Sequence, residues 1–446
     1  MKKIIFLLCS LFISHINAQV IMTLQQCLDA AKTHNRQLQN MALSITSATE
    51  QKKETYTKYF PKISANITAF QAFDKIIKGD GTYPPEIAAI SSNLAPLAGQ
   101  PYSYKELSRG YNATISVTQP IYAGGKITAA NQLAQIQRDV CILQHSLTEK
   151  DVLQKITENY WKIVTIKYKL NTLDIAEKQV AAFYQQVEQY VKAGVTTRND
   201  LLKVCLRQQE LASNRLKLNN AESVLKLLLA QQIGIFDQEI DVDTTLLQEK
   251  DPQSIYLPAE QAVGKREELN LAMKSIDAQR QKLKLERSKN LPTVAAGAMG
   301  YHVDLGGVST RVSHLANTSI TNGLVFGTVN IPLSSWWGGG HAIKRMKVQL
   351  QQSQNDAMDA REKLAVDIAA AWNNLTESYS QIGLARTSVE QACENLRIET
   401  DRYKAGTETL TDLLTAEALH RQAQNNLAEA LATYQIRQAD YMRKIK

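Results

Sequence analysis

The sequence predicts an α+β fold in which four amphipathic strands and very long, coiled-coil-like helices form two internal repeats. Four short segments alternate apolar and polar residues with the period of a strand. The 68 residues from 126 to 193 contain neither Gly nor Pro, as expected of one long helix. Spacings around several prolines recur in the second half of the chain, which indicates a duplication.

The N-terminus has the layout of a secretory signal peptide. Basic residues at positions 2 and 3 precede an apolar stretch, and small and polar residues follow at positions 17–19. We therefore expect an exported protein that is cleaved after Ala18. Cleavage removes Lys2 and Lys3 and lowers the formal net charge from +8 to +6. This mild charge, with basic and acidic residues interspersed, gives little support to nucleic-acid binding.

Two spacings recur in both halves of the chain. An interval of 23 residues separates a Leu from a Pro, and an interval of 74 residues separates a Pro from a Gly. The pairs are Leu38 with Pro61, Leu269 with Pro292, Pro120 with Gly194, and Pro332 with Gly406. The second interval has an offset of 212, which aligns Tyr160 with Trp372. We therefore expect two structurally similar copies.

Each copy enters two strand-like segments after a proline. Their apolar positions are Ile63, Ala65, Ile67, Ala69, Tyr111, Ala113, Ile115 and Val117 in the first copy, and Val294, Ala296, Ala298, Val325, Val329 and Ile331 in the second. This alternation predicts strands with one apolar face, although a strand on a soluble core has the same pattern. The turn-rich residues 74–110 and 302–322 are predicted loops, and Gly-rich corners are predicted at 123–125 and 336–340.

Apolar steps of three and four residues, as at Leu133, Ile136 and Val140, predict a coiled-coil-like seam along residues 126–193. At 1.5 Å per residue this helix would be ~100 Å long. Shorter helical stretches at 194–233 and 259–290 flank an acidic, turn-rich stretch at 234–258. Residues 407–446 and 23–60 repeat this arrangement with the two chain ends. One continuous helix is therefore expected beside each pair of stacked shorter ones.

No segment after the signal peptide approaches the ~20 consecutive apolar residues of a membrane-spanning helix. If the protein crosses a membrane, it must cross as a closed β-barrel, which leaves no backbone group unpaired in lipid. Four strands alone would leave open edges in lipid, so subunits would have to pool their strands.

Three motifs resemble those of the TolC-like outer-membrane efflux protein family. They are TLQQCLDAA at 23–31, QPIYAGGK at 119–126 and YKAGTETLTDLL at 403–414. Their order, spacing and duplication extend the resemblance over essentially the whole mature chain. The resemblance divides the chain into a signal peptide at 1–18, a first repeat at 19–233, a mid-tunnel linker at 234–258 and a second repeat at 259–446.

The resemblance also implies a function. Proteins of this family act as exit ducts of multicomponent efflux or type I secretion systems, in the outer membrane of Gram-negative bacteria. The implied assembly is a homotrimer in membrane lipid, with four strands per subunit in one 12-stranded barrel that continues into a long helical periplasmic tunnel. A periplasmic adaptor protein and an inner-membrane transporter are the implied partners.

Both copies contain Lys-Ala-Gly and, six residues after the Gly, Asp-Leu-Leu. The glycines are Gly194 and Gly406, and the acids are Asp200 and Asp412. Helix capping explains this pattern, because Gly suits the left-handed residue that ends a helix and Thr-x-x-Asp resembles a capping box. The family resemblance adds a second interpretation, in which these turns are the periplasmic tips where the tunnel constricts and the two acids bear on closure.

Further candidate residues lie near the tips and at the strand-to-helix corners. Tyr403 lies in the third motif, and Arg198 is predicted to pair with Glu408. Many family members have a second acid at the position of Thr415. The corner aromatics Tyr122, Trp336 and Trp337 suit a membrane interface, and packing at the barrel base explains them equally well.

No arrangement of residues indicates an enzyme. The seven His residues show no metal-ligand spacing, and residues 124–127 lack the pattern of a phosphate-binding loop. Cys27, Cys141, Cys205 and Cys393 lack paired spacing and are expected to be packed thiols. We therefore expect no catalytic residues, no metal and no cofactor. The alternative to a duct is a structural or adhesive coiled-coil protein of the envelope, which would not need four amphipathic strands.

Overall fold

The structure is a computed structural model that describes residues 20–71, 73, 78–82, 99–105, 109–236, 239–244, 251–306, 309–310 and 317–445. The expected signal peptide and most of the loop predicted at 74–110 lie outside the described residues. The chain divides into a helical unit, drawn from Met1–Ser47, Asp139–Ser275 and Gln354–Lys446, and a sheet unit, drawn from Ala48–Arg138 and Ile276–Ser353.

Helices make up most of the described chain. They are α1 (Leu24–His34), α2 (Arg36–Tyr56), α3 (Lys126–Lys192), α4 (Arg198–Ile233), α5 (Ala259–Val263), α6 (Glu267–Ser288), α7 (Ser335–Lys404) and α8 (Leu410–Ile445). The long helices α3 and α7 have 67 and 70 residues, and α4 and α8 have 36 each. In the described chain we find no helix that combines the length and the apolar character needed to cross a bilayer.

Two of the predicted helices are interrupted. The stretch 23–60 breaks at Asn35, whose side chain donates to the backbone oxygen of Gln232 (2.6 Å) and accepts from the N–H of Leu38 (3.0 Å). Asn35 therefore ends α1 and starts α2. The stretch 259–290 breaks after Val263, where Gly264 is the C-cap residue of α5. Gly has a low helix propensity, which favours a break there.

The four predicted strands are present and adjacent. The described strands are β1 (Val20–Met22), β2 (Lys62–Gln71), β3 (Lys78–Thr82), β4 (Pro101–Lys105), β5 (Arg109–Ala123), β6 (Ile240–Val242), β7 (Thr293–Gly306), β8 (Ser309–Thr310) and β9 (Asn317–Asn330). In the sheet unit, β2, β5, β7 and β9 form an antiparallel sheet in that order. A smaller sheet has the order β3-β4-β8. In the helical unit, β1 pairs in parallel with β6.

Two predictions about the second copy are wrong. The loop predicted at 302–322 is shorter, because β7 and β9 stay paired from Thr293 with Asn330 up to Gly306 with Asn317. The Gly-rich corner predicted at 336–340 is helical, because α7 already begins at Ser335. Gly339 is required there for close packing, since a Cβ atom would lie 2.2 Å from the side-chain nitrogen of Asn290.

The described apolar core of the helical unit contains three clusters. One surrounds Trp161 and Tyr160, and the second surrounds Leu375 and Tyr441. The third lies beside the two helical turns and is described with them below. Of the cysteines, Cys27 and Cys141 are buried as expected, whereas Cys393 is exposed. Burial raises the pKa of the Cys27 thiol to about 11, so this thiol stays protonated at neutral pH.

Candidate functional site at the two helical turns

The turn between α3 and α4 is closed by a Schellman motif. Gly194 has a φ of 72°, the left-handed conformation that glycine adopts without strain. Its N–H donates to the carbonyl of Val191 (3.1 Å), and the N–H of Val195 donates to the carbonyl of Tyr190 (2.8 Å). These two bonds satisfy the last carbonyls of α3, as the Lys-Ala-Gly pattern predicts.

The turn between α7 and α8 has the same geometry. Gly406 has a φ of 71°. Its N–H donates to the carbonyl of Tyr403 (3.1 Å), and the N–H of Thr407 donates to the carbonyl of Arg402 (3.0 Å). The predicted C-cap role of both glycines is therefore confirmed.

Asp200 and two threonines close the start of α4. The N-cap residue Thr197 accepts from the N–H of Asp200 (3.3 Å), and its hydroxyl donates to the Asp200 carboxylate (2.7 Å). The hydroxyl of Thr196 donates to the same carboxylate (2.8 Å). These hydrogen bonds, led by that from Thr197, lower the pKa of Asp200 to about 2. Unlike the acid of a standard capping box, Asp200 binds hydroxyl groups in this turn.

Asp412 repeats this geometry at the start of α8 and adds a second acid. Its N–H donates to Thr409 Oγ1 (3.3 Å), and the Thr409 hydroxyl donates to its carboxylate. Hydrogen bonds from Thr409 first, and from Glu408 second, lower the pKa of Asp412. Asp412 is exposed, so two neighbouring carboxyl groups meet at an exposed turn.

Lys203 joins the two turns. Its ammonium lies 3.2 Å from Asp200 Oδ1 and donates to the hydroxyl of Thr411 (2.9 Å). Beneath this link, Leu410 is buried in the third apolar cluster, and Tyr403 packs against it. Burial raises the pKa of the Tyr403 phenol, and the nearby Tyr190 and Asp200 raise it further. Polar and apolar contacts therefore hold the start of α4 against the start of α8.

A buried ion pair lies one to two turns further along both helices. Glu417 is only 2% exposed, and its Oε2 accepts from Arg207 Nη2 (2.7 Å) and Nε (3.2 Å). Arg207 also contacts Glu210 (2.6 Å), and Arg421 Nε lies 3.8 Å from Glu417 Oε1. Burial acts to lower the pKa of Arg207, but hydrogen bonds to Glu417 and Glu210 outweigh it and the pKa is raised. Burial, and then repulsion from Arg207, lower the pKa of Arg421.

The predicted pair of Arg198 with Glu408 is wrong. Glu408 lies 3.7 Å from Arg402 instead, and within the described residues Arg198 is exposed and not paired with it. Sequence analysis missed Lys203, Thr411, Arg207 and Glu417. The available signal was a charged residue beside buried seam positions, since Arg207 lies between the buried Val204 and Leu211.

The three corner aromatics belong to the sheet unit. Tyr122 lies in β5 and is about half exposed (48%). The indole of Trp336 donates to the backbone oxygen of Asn290 (3.0 Å), whereas Trp337 is 85% exposed. In the part of the chain that the structure describes, we find no cluster of His, Cys, Asp and Glu arranged to hold a metal ion.

The fold is that of outer-membrane channels. The structure matches the CmeC outer-membrane channel of Campylobacter jejuni with a TM-score of 0.76 and 14% identity, over 95% of this chain and 85% of that one. It matches the outer-membrane protein VceC of Vibrio cholerae with a TM-score of 0.73 and 14% identity, over 95% of each chain.

The chain belongs to the outer membrane efflux protein family, whose sequence profile matches residues 27–231 and 259–442. Outer membrane protein TolC of Salmonella enteritidis is 19% identical over 384 residues, which cover 82% of this chain and 75% of that protein. The predicted family is therefore confirmed, and membership supports an efflux channel rather than an enzyme.

Proposed function

We propose that this chain is the outer-membrane exit duct of a multicomponent efflux or secretion system. The observation that carries the proposal is the four-stranded sheet with two free edges. Within the described chain, β2 and β9 are edge strands, each hydrogen-bonded on one side only. In lipid such edges are not tolerated, so neighbouring copies must supply the missing strands.

Three copies would give a 12-stranded barrel, the number that the family resemblance implies. The similar lengths of α3 and α7, and of α4 and α8, support two repeats at 19–233 and 259–446, joined by a linker at 234–258. The protein would lie in the outer membrane of a Gram-negative bacterium with a long periplasmic extension. A periplasmic adaptor and an inner-membrane transporter would deliver the cargo.

The two helical turns would form the periplasmic tip and gate of this duct. Asp200, Asp412 and Glu408 would supply negative charge, Gly194 and Gly406 would set the turns, and Tyr403 would anchor the second turn. Arg198, exposed in the first turn, would face neighbouring copies or a partner. The corner residues Tyr122, Trp336 and Trp337 would lie at the periplasmic membrane interface, where amphipathic rings are favoured.

Conductance of the purified protein in a planar lipid bilayer tests the proposal. A duct gives discrete single-channel steps from a detergent-stable oligomer, and heating that dissociates the oligomer abolishes them. An envelope adhesin built on the same helices gives no steps at any protein concentration. A monodisperse, water-soluble monomer without conductance would overturn the proposal in favour of that alternative.

A further inference from the structure

One face of the four-stranded sheet is apolar along most of its length. The register aligns every second residue of the four strands on this apolar face. Its members are Ile63, Ala65, Ile67, Ala69, Ala113, Ile115, Val117, Val294, Ala296, Ala298, Gly300, Gly323, Val325, Gly327 and Val329. Several are highly exposed, including Ile67 at 75% and Val325 at 85%.

The opposite face is polar on β2 and β5. Ser64 and Ser116 share a hydrogen bond across the two strands (2.9 Å), and Thr114 donates to Asn112 (3.2 Å). On β7 and β9 this face carries larger side chains, and the ring of Phe326 covers Gly297, where a Cβ atom would lie 2.6 Å from it. The two faces of β2 and β5 therefore suit different solvents.

A polar ladder closes the apolar face at the end where β5 begins. The hydroxyl of Tyr111 lies 3.1 Å from His302 Nε2, and His302 Nδ1 lies 2.6 Å from the hydroxyl of Thr321. Side chains from β5, β7 and β9 thus satisfy each other across three strands. Asp304, which pairs in register with Tyr111, adds a charged group at this same end.

A β-bulge fixes the other end of the apolar face. Positions 111 and 122 differ by an odd number, so on a regular strand Tyr111 and Tyr122 would lie on opposite faces. The register shift between Pro120 and Tyr122 places Tyr122 opposite Val294, a member of the apolar face. The bulge therefore brings both tyrosines to one face.

We propose that this apolar face contacts the lipid bilayer, that the ladder of Tyr111, His302 and Thr321 lies at the outer headgroup boundary, and that Tyr122 lies at the inner one. The proposal rests on the proposed barrel function and adds which face and which residues meet the lipid. Among the described residues of the apolar face between the two boundaries, none is charged. The polar exception is Gln119, whose amide is satisfied by backbone oxygens of Tyr59 (2.9 Å) and Pro120 (3.0 Å).

The distance between the two boundaries agrees with the thickness of the bilayer core. From Tyr111 to Tyr122, with one residue absorbed by the bulge, the strand covers ~34 Å at ~3.4 Å per residue. A barrel strand tilted by ~40° then rises ~26 Å, close to the ~25 Å apolar band of outer-membrane barrels. Tyr and His at the ends of such a band bury an apolar ring and present a polar atom to the headgroups.

Spin labels on adjacent residues of β5 test the assignment of faces. Single cysteines at Ile115→Cys and Ser116→Cys, in a chain whose native cysteines are replaced, are labelled after reconstitution of the full protein into liposomes. The ratio of oxygen to nickel-chelate accessibility should be several-fold higher at position 115, because oxygen concentrates in lipid and the chelate stays in water. The reverse ratio would overturn the assignment. If Ile115→Cys fails to fold, the pair Ala113→Cys and Asn112→Cys gives the same test.

Labels on β9 test the outer boundary. Thr321→Cys should report a shallow position and Val325→Cys a deep one, whereas equal depth would refute the boundary at the ladder. Labels at 115 and 116 that are both fully accessible to the chelate, in a preparation without conductance, mean that the barrel itself is absent. Both labels accessible in a conducting preparation would overturn the lipid-facing assignment alone.

Discussion

The carboxylate of Glu417 accepts two hydrogen bonds from the guanidinium of Arg207, which lies 210 residues earlier in the chain and joins α4 to α8. Both side chains are largely buried, at 2% and 10% exposed. A buried pair contributes little net stability when intact, but removal of one partner leaves a charge without compensation.

We expect Glu417→Gln to destabilise the protein by ~3–5 kcal/mol, because Arg207 and Arg421 then lose their shared buried anion. Urea-induced loss of the helical circular dichroism signal measures the change. Glu210→Gln is the matched control, since Glu210 contacts the same guanidinium but is 52% exposed, and we expect a loss of at most ~1 kcal/mol. Equal effects of the two substitutions would contradict the role of burial.

The glycines of the turns give a second prediction. Gly406→Ala should destabilise by ~1 kcal/mol, because an L-residue is strained at a φ of 71° although nothing lies within 4 Å of a Cβ there. Gly383 lies inside α7, also with open space around it, so Gly383→Ala should instead stabilise by up to ~1 kcal/mol. Unfolding midpoints that move in the same direction for both variants would argue against the left-handed cap.

Asp200 makes part of the stability depend on pH. Its pKa is lowered to about 2 in the folded protein, whereas an unfolded Asp has a pKa of ~3.9. The stabilising contribution is therefore complete above pH ~4 and is lost as the pH falls towards 2. Since the turn is close to solvent, we expect a modest effect, visible as a difference in melting temperature between wild type and Asp200→Asn that vanishes in acid.

Thr196→Val should shift this acid window to higher pH, because it removes one of the hydroxyls that hold the Asp200 carboxylate. The matched control is Thr415→Val, since the Thr415 hydroxyl donates only to the backbone of Thr411 (2.8 Å) in the described contacts. An unchanged window in Thr196→Val would remove the assigned cause of the pKa shift.

Sequence periodicity predicted the helices and strands because each has one buried or apolar face over many residues. The extents of β7 and β9 could not be predicted, since the Gly, Ser and Thr residues near 306 and 317 resemble a loop when the partner strand is unknown. The helical glycines 338–340 mislead for the same reason. Gly339 is set by the close approach of Asn290, a tertiary contact that has no local pattern.

At the turns, capping chemistry could be predicted because it acts over three or four residues. The links of Lys203 to Thr411 and of Arg207 to Glu417 could not, since each joins residues more than 200 positions apart. The wrong choice of Arg198 as the partner of Glu408 has the same origin. Arg402, only six residues from Glu408, reaches it across the turn.

The last prediction concerns the charge of the proposed gate. If the exposed Asp412 faces the lumen, three copies form a ring of carboxylates whose field is focused by the low-dielectric walls, and cations are favoured. Asp412→Asn should then reduce cation preference and weaken block by multivalent cations, with little change in stability, because Asn keeps a capping bond. Glu408→Gln, which alters the neighbouring carboxyl, should act in the same direction.

A role in capping alone predicts the opposite pattern for these variants. Asp412→Ala would then lose ~1 kcal/mol of stability while selectivity stays constant. Reversal potentials across a salt gradient, measured for wild type, Asp412→Asn and Asp412→Ala, separate the two roles. The control is Thr415→Asn, an exposed position on the same helix that changes no charge. Identical reversal potentials in all four proteins would exclude a carboxylate ring at Asp412, whereas a shift confined to the two Asp412 variants assigns the charge of the gate to this residue.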